Sequence, residues 1–360
     1  MNIRNDQPLQ RHFNPGRIGL FGSGETTPSG RKIFAELLRR LPEQPRIAIL
    51  ETPAGFELNA SQVAGRVATF LRQHLQNFHP QIEQVAARKC DTAYSPDDPQ
   101  IVAPILGSNM IFMGPGSPTY AVRQLQGSLA WDYLIASHRL GASLALASAA
   151  TIAISTFALP VYEIFKVGED IHWKEGLDLL GNYGLSLIFV PHWDNNEGGE
   201  ELDTSRCFMG RERFDPLLEM LPEAVSVVGI DEHTGLIFDL QEERCRVIGK
   251  GEITVLREGN ETIFRREVSF PIGELGEFEL PEPETDVPEE IWEKALSAMH
   301  KNPPDPMPPE AVVELVEFRE SARQNKDWSE ADILRAQIEE LGWKVSDTPE
   351  GSELEKVDSG

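Results

Sequence analysis

At 360 residues and 40% hydrophobic content, the chain can hold one large domain or two smaller ones around a packed core, which excludes a disordered chain. Its formal net charge of −25 argues against nucleic acid or an anionic membrane as a main partner, because phosphate binding needs clustered Lys and Arg. The three cysteines, Cys90, Cys207 and Cys245, are too far apart in sequence for a zinc site or a disulfide framework and fit a reducing compartment. Residues 1–15 are polar, so neither a signal peptide nor a membrane span is expected, and a soluble cytoplasmic protein is the expectation.

Residues 17–21 (RIGLF) read as a short apolar strand running into the turn Gly22-Ser23-Gly24 and a helix over 31–41, with Ile33, Phe34, Leu37 and Leu38 at helical spacing. The turn lacks the full glycine-rich phosphate fingerprint, so it does not imply nucleotide binding. Strands follow at 46–50, 82–86 and 109–113, with a helix over 61–75 between the first two. The strand 109–113 ends in Gly114-Pro115-Gly116-Ser117-Pro118-Thr119-Tyr120, and a helix over 120–125 begins at once. That turn reads either as an ordinary strand-to-helix corner or as a place where backbone N–H groups face an anion or a developing oxyanion. A helix over 131–138 leads to the stretch 142–156 (ASLALASAATIAIST), a buried strand, Ser148, and an Ala-rich helix. The alternation predicts an α/β fold, a three-layer sandwich around a mostly parallel sheet, with ligands at the carboxyl ends of the strands.

Ser148 at a strand-to-helix corner is either a helix-capping serine in an Ala-rich core or a nucleophile lifted clear of the backbone by the tight turn. The strand 185–190 ends in Pro191-His192-Trp193, which places His192 at a carboxyl edge as well. If that strand neighbours the Ser148 strand, the two residues share one crevice, as acyl transfer by an activated hydroxyl requires. The polar loop after His192 contains Asn195, Asn196 and Glu197, and a helix over 206–221 carries Arg211 and Arg213. Gly114, Asn195 and Arg211 are the candidate substrate contacts. A strand at 225–230 is followed by antiparallel strands at 235–240, 246–249, 253–257 and 262–267 that extend or flank the sheet. His172, His233 and the acids around them form no spaced metal set, so no metal and no cofactor is expected.

Composition divides the chain into 1–275, a Pro/Glu-rich linker at 276–309 containing an amphipathic piece around 291–299, and a helical hairpin at 310–360. The hairpin helices are expected over 310–325 and 329–341, with Asp327 or Ser329 capping the second and Gly342 ending it.

The order GSGE, GPGSPTY, LASAAT, PHW and VVGIDEHTGLIF resembles the cyanophycinase and dipeptidase E group over roughly residues 17–240. Members are serine hydrolases with a fold similar to class I glutamine amidotransferases. The resemblance implies an elbow of the form G-x-S-A-G-A at Leu146 to Thr151, with Leu146 and Ala150 in place of the two flanking glycines. It further implies Ser148 as nucleophile, His192 as base, and an acid some 15 to 20 residues past the serine. Glu163 is the first choice, with Glu169 and Asp170 as alternatives. The oxyanion donors would be the N–H groups of Gly116 and Ala149. The expected substrate is a small molecule or peptide cleaved at an amide bond, since members act on aspartyl dipeptides or aspartyl-arginine polymers, and a homodimer is the expected assembly. The replaced glycines leave a second reading, a catalytically degenerate binding or regulatory protein on the same fold.

The stretch from Ala322-Arg323 through Lys326-Asp327-Trp328-Ser329-Glu330-Ala331-Asp332 to Asp347-Thr348-Pro349-Glu350-Gly351 resembles the extreme C-terminal part of cysteinyl-tRNA synthetases. The synthetase's catalytic domain and zinc ligands are absent, so aminoacylation does not follow. A recycled helical module for packing or protein contacts is favoured over an RNA-linked role.

Overall fold

The computed structural model describes residues 14–41, 44–301, 308–348 and 351–356. Residues 1–13, which carry most of the expectation of no leader, and most of the proline-rich stretch 301–309 lie outside the described residues. Five strands form the parallel centre: β1 (Ile18–Phe21), β2 (Arg46–Leu50), β3 (Gln81–Val85), β4 (Met110–Met113) and β5 (Ser143–Ala147). They run β1-β5-β4-β2-β3 across the sheet. The inner strands read as continuous apolar runs because both faces are covered.

Period-two alternation sorts their side chains between two layers. Ile18, Leu20, Leu50, Ile111, Met113 and Leu146 point to one face. Phe21, Ile49, Phe112, Ala145 and Ala147 point to the other. The second face is covered by α1 (Pro28–Leu38) and α2 (Ala60–His74) through Ile33, Phe34, Leu37, Val67 and Leu71. The first is covered by α3 (Pro99–Gly107) and α5 (Leu129–Arg139), while α4 (Pro118–Leu125) follows β4 and α6 (Ala149–Ala153) follows β5.

Past α6 lie a two-stranded ribbon of β6 (Phe157–Ala158) and β7 (Lys174–Glu175), then β8 (Leu187–Val190), α7 (Gly210–Glu219) and β9 (Ser226–Ile230). Next come β10 (Thr234–Asp239), β11 (Arg244–Gly249), β12 (Ile253–Arg257), β13 (Asn260–Phe264) and β14 (Ser269–Pro271). These strands both extend and flank the centre. β10 pairs antiparallel with β1, and β11 and β14 continue that edge to give eight strands. The strand before His192 does not neighbour the Ser148 strand: β8 belongs to a second sheet ordered β13-β12-β9-β8. One face of that sheet packs Leu187, Phe189, Val228 and Ile230 against Leu236 and Phe238 of β10. The other packs Ile188, Val190 and Val227 against Ile152 of α6 and Phe214 of α7.

Segment 276–309 carries α8 (Glu289–Lys301), which lies against α3 and α5. Its Ile291 and Ala295, with Val287 just before it, join the main core. The amphipathic spacing is enough to bury this piece despite the Pro and Glu around it. The C-terminal helices are α9 (Glu310–Gln324) and α10 (Trp328–Glu340). Asp327 is the cap, its carboxylate accepting the Glu330 N–H at 3.1 Å, and Gly342 ends the helix at φ +79°. A hairpin of β15 (Trp343–Thr348) and β16 (Gly351–Lys356) follows, so this module is two helices and two strands around Val312, Val316, Ile338, Val345 and Leu354.

Arg319 on α9 is 2% exposed and donates to both Asp347 oxygens at 2.8 Å and to Ser352 Oγ at 3.2 Å, tying helix to hairpin. The module docks on the rest of the fold through Val313, through Arg39 on Glu317 at 2.7 and 2.8 Å, and through the Leu354 N–H on His79 Nε2 at 2.8 Å. Asp347→Ala strands a buried guanidinium. With the carboxylate itself partly in water, the expected cost is about 2 kcal/mol. It is read as faster amide hydrogen exchange in 343–348, with exchange in β1 and β5 unchanged. Among the described residues, no helix is long and apolar enough to cross a membrane.

Candidate active site

Ser148 stands between β5 and α6 with φ +52° and ψ −107°. A non-glycine residue there costs on the order of 1–3 kcal/mol, and surrounding bonds must impose it. The Ser148 N–H donates to the Phe21 carbonyl at 3.3 Å, and Thr151 Oγ1 donates back to the Leu146 carbonyl at 2.7 Å, closing the turn. Leu146 is fully buried in the strand, level with Leu20 and Met113, so its side chain packs in the core and leaves the corner free. Ala150 is equally buried on the first turn of α6. The sharp corner therefore forms without either flanking glycine.

His192 follows β8 with φ +53°, its N–H donating to the Gly22 carbonyl at 3.2 Å. Trp193 is held by its N–H on the Ile230 carbonyl at 3.1 Å and by its ring packed on Gly229, where a Cβ would come within 2.3 Å of the indole. These contacts bring the second sheet to the end of β1 and place His192 Nε2 2.9 Å from Ser148 Oγ. On the far side of the ring, Nδ1 is 3.0 Å from Glu232 Oε1. With the proton on Nδ1 donated to that carboxylate, Nε2 is left to accept the serine hydroxyl. Asn195 Nδ2 donates to the same Glu232 oxygen at 3.1 Å, and the Glu232 N–H donates to Asp194 Oδ1 at 2.6 Å. The hydrogen bond from His192, aided by that from Asn195, holds the Glu232 carboxyl below the usual range against partial burial.

The structure brings together Ser148 and His192 but puts none of the three expected acids at the histidine. Glu163 sits in an irregular helical turn, where Oε1 accepts from Thr119 Oγ1 at 2.5 Å and Oε2 is buried without a hydrogen-bond partner among the described residues. Glu169 and Asp170 are exposed, and their contacts are with His172: an ion pair at 3.8 Å for the first and a backbone carbonyl for the second. The carboxylate beside His192 is Glu232, two residues past the end of β9. Its signal in the sequence is the same as that of Ser148 and His192, a polar group directly after a buried strand, within VVGIDEHTGLIF.

Gly116 and Ala149 line one cavity of about 220 Å³ with Ser148 and His192. Gly116 has φ +155°, and a Cβ there would lie 1.9 Å from the Pro53 carbonyl oxygen. The next N–H, that of Ser117, donates to the same oxygen at 2.9 Å, which fixes the turn. The N–H groups of Gly116 and Ala149 meet no acceptor among the described residues. The expected substrate contacts are elsewhere. Gly114 is buried at the end of β4 beside the Phe112 ring. Asn195 is 3% exposed and spends its amide on Glu232, so it lies behind the site. Arg211 is exposed on the first turn of α7, its N–H donating to Asp203, and does not line the cavity.

One wall of the cavity was not legible at all. Arg206, Cys207 and Phe208 have φ of +55°, +57° and +68°, three consecutive left-handed residues with side chains. They are held by the Arg206 N–H on the Trp193 carbonyl at 2.9 Å and the Cys207 N–H on the His192 carbonyl at 3.1 Å, with the Arg206 guanidinium 4.4 Å above the Trp193 ring. This turn sets the Phe208 ring 6.1 Å from the His192 ring. Burial pushes the Cys207 thiol up to about 12, so it is a neutral wall residue and no thiolate. Among the described residues no group of three His, Cys, Asp or Glu side chains is placed to hold a metal ion.

Beside Glu232, burial pushes the Asp231 carboxyl up to about 6, with Asp194 and Glu252 adding repulsion against a hydrogen bond from the Glu252 N–H. A carboxyl raised in the folded state weakens folding as pH rises from about 4 through 6, because only the unfolded chain releases the proton freely there. Asp231→Asn is therefore expected to be about 1 kcal/mol more favourable at pH 8 than at pH 4, after solvent screening of this half-buried group. Urea unfolding at the two pH values measures it.

No protein-family model matches the chain. Among solved structures, a peptidase from an acI-B1 actinobacterium aligns over 72% of this chain and 98% of its own, with a TM-score of 0.57 and 21% identity, a likeness of fold. A putative peptidase E protein from Listeria monocytogenes aligns over 68% of this chain at 12% identity and a TM-score of 0.43, too low to bear on topology. Toward the C-terminus, a stretch of 48 residues is 50% identical to cysteine–tRNA ligase from Methanosarcina mazei, covering 13% of this chain. The ligase from Chlamydia abortus is 48% identical over 48 residues. The matched stretch spans 10% of each ligase, so it covers a tenth of those relatives. The chain thus shares the fold of that actinobacterial protein and carries after it a module similar to a short piece of cysteine–tRNA ligases.

Proposed function

We propose that the chain is a serine peptidase or amidase acting through an acyl-enzyme, with Ser148, His192 and Glu232 as its triad. The observation that carries this reading is the unbroken line from Ser148 Oγ through the His192 ring to Glu232, at 2.9 and 3.0 Å, starting from a strained corner. Ser148 Oγ bonds to the substrate carbonyl carbon while His192 Nε2 takes the hydroxyl proton. The carbonyl oxygen gains negative charge between the N–H groups of Gly116 and Ala149. As the C–N bond breaks, the imidazolium gives that proton to the departing amine. Water then attacks the ester with His192 again as base, releasing the acid and restoring Ser148. Glu232 holds the imidazole in the required tautomer and stabilises its cation.

A fluorophosphonate probe should add one label per chain, at Ser148, and Ser148→Ala should remove it. A folded wild-type chain that stays unlabelled counts against the proposal. The three unpaired cysteines agree with a cytoplasmic setting, which we take as the working compartment.

A further inference from the structure

We propose that the cavity over Ser148 is a subsite for an apolar side chain on the acyl part of the substrate, with Phe208 as the residue that sets this preference. The proposal rests on the hydrolase reading and specifies what that site accepts.

The walls are Ile152, Val161, Phe165, Cys207 and Phe208, with Tyr162 at the side. Ile152, Val161 and Cys207 are buried, and the Phe165 and Phe208 rings meet at 5.3 Å between centroids. Among the described residues, the acidic and basic side chains that line the cavity besides His192 are Lys166 and Glu197, and both are exposed. The exposed Lys166 has its Nζ 4.7 Å from the centroid of Phe165. Among the described residues no buried cation stands there for a substrate carboxylate, and the carboxylate that lines the cavity, that of Glu197, is exposed to water. An ionised side chain placed inside loses its water and gains no partner. An apolar one exchanges water for ring and methyl surface.

The size agrees. A volume of about 220 Å³ is some seven waters' worth at about 30 Å³ each, room for one aliphatic or phenyl side chain beside the reacting carbonyl. Tyr162 also borders a cleft of about 1130 Å³ lined by Lys89, Arg123, Glu57 and Glu163, which leaves room for the rest of a substrate. The carbonyl carbon bears both an acyl substituent and the departing amine, and the proposal assigns the cavity beside Gly116, Ala149 and Ser148 to the first.

The left-handed turn is the second line of argument. Three strained residues are held in place and their result is to present Cys207 and Phe208 to the cavity. Strain of this kind persists where the position of a side chain matters. The Phe208 ring packs at the edge of the cluster that holds Ile152, Val161 and Cys207, with the Phe165 ring centroid at 5.3 Å and that of His192 at 6.1 Å.

The test uses the full chain and acetyl-aminoacyl coumarin amides with Leu, Met, Phe, Gly, Asp or Lys as the acyl residue, beside a glycyl series in which the leaving group varies. Leu, Met or Phe should exceed Asp and Lys at least about tenfold in kcat/KM, the scale of one or two methylenes in an apolar pocket. Phe208→Ala should shrink that ratio, and Phe208→Leu should keep most of it. Both variants should still take one fluorophosphonate label, which separates loss of preference from loss of fold. Labelling at Ser148 with a preference for Asp or Lys, with no preference, or with one that follows the leaving group overturns the subsite while sparing the hydrolase. Absence of any label at Ser148 overturns the hydrolase reading and the subsite with it.

Discussion

Glu232→Gln is expected to slow acylation of Ser148 by about four powers of ten, whereas Glu163→Gln stays within a few-fold of the parent chain. The amide of glutamine can offer its NH2 to His192 Nδ1 and hold the imidazole with its proton on Nε2, the nitrogen that has to accept from Ser148. The cation formed during attack would also lose its counter-charge. Glu163 lies against Thr119 and touches neither group, so its charge has no direct path to the serine. The rate of fluorophosphonate labelling measures both variants without knowledge of the substrate. Ser148→Ala and His192→Ala belong to the same unit, and each alone should cost about as much as both together. An inactive Glu163→Gln beside an active Glu232→Gln would return the acid to the irregular turn at Glu163–Val167.

Gly116→Ala is expected to destabilise the fold by more than about 4 kcal/mol, at the far end of what single substitutions do. The added methyl would stand 1.9 Å from the Pro53 carbonyl oxygen and 2.7 Å from the Ala54 nitrogen, both backbone atoms that cannot swing aside. The φ of +155° adds strain for any residue with a Cβ. Relief requires the loop after β4 to part from the segment after β2, which also withdraws an N–H from the cavity. Gly127→Ala is the control. It has φ +69° and open space around its Cβ position, so only the backbone term of about 1 kcal/mol applies. Thermal unfolding of the pair should separate by about four degrees or more if the close approach to Pro53 is as described, and by no more than about one degree if the loop relaxes.

The parallel centre was legible because its strands are short apolar runs between turn residues, and Ser148 and His192 were legible because each follows such a run. Glu232 follows one too. The resemblance to a known group supplies a spacing from the serine, and that spacing points to Glu163 instead. The nearness of Glu232 to His192 comes from the parallel pairing of β8 with β9, in which Val190 lies level with Gly229. A pairing of this sort leaves no local trace. The assignment of β8 to a separate sheet is invisible for a similar reason: LIFV has the composition of the central strands, and only the layer it packs against differs. The terminal hairpin was hidden by length. Trp343 and Val345 alternate inward over six residues, directly after a helix whose own pattern dominates that region. The left-handed turn at 206–208 has no glycine until Gly210, so the residue types give no warning of it.

Where the site's members come from in the chain also governs when it can exist. Ser148 ends the fifth central strand, while His192 and Glu232 arrive with the second sheet, and β1 receives its antiparallel neighbour β10 only after both. During synthesis from the N-terminus, Ser148 is therefore made about forty residues before His192 and about eighty before Glu232. A chain halted before Glu232 carries Ser148 without the carboxylate that faces His192.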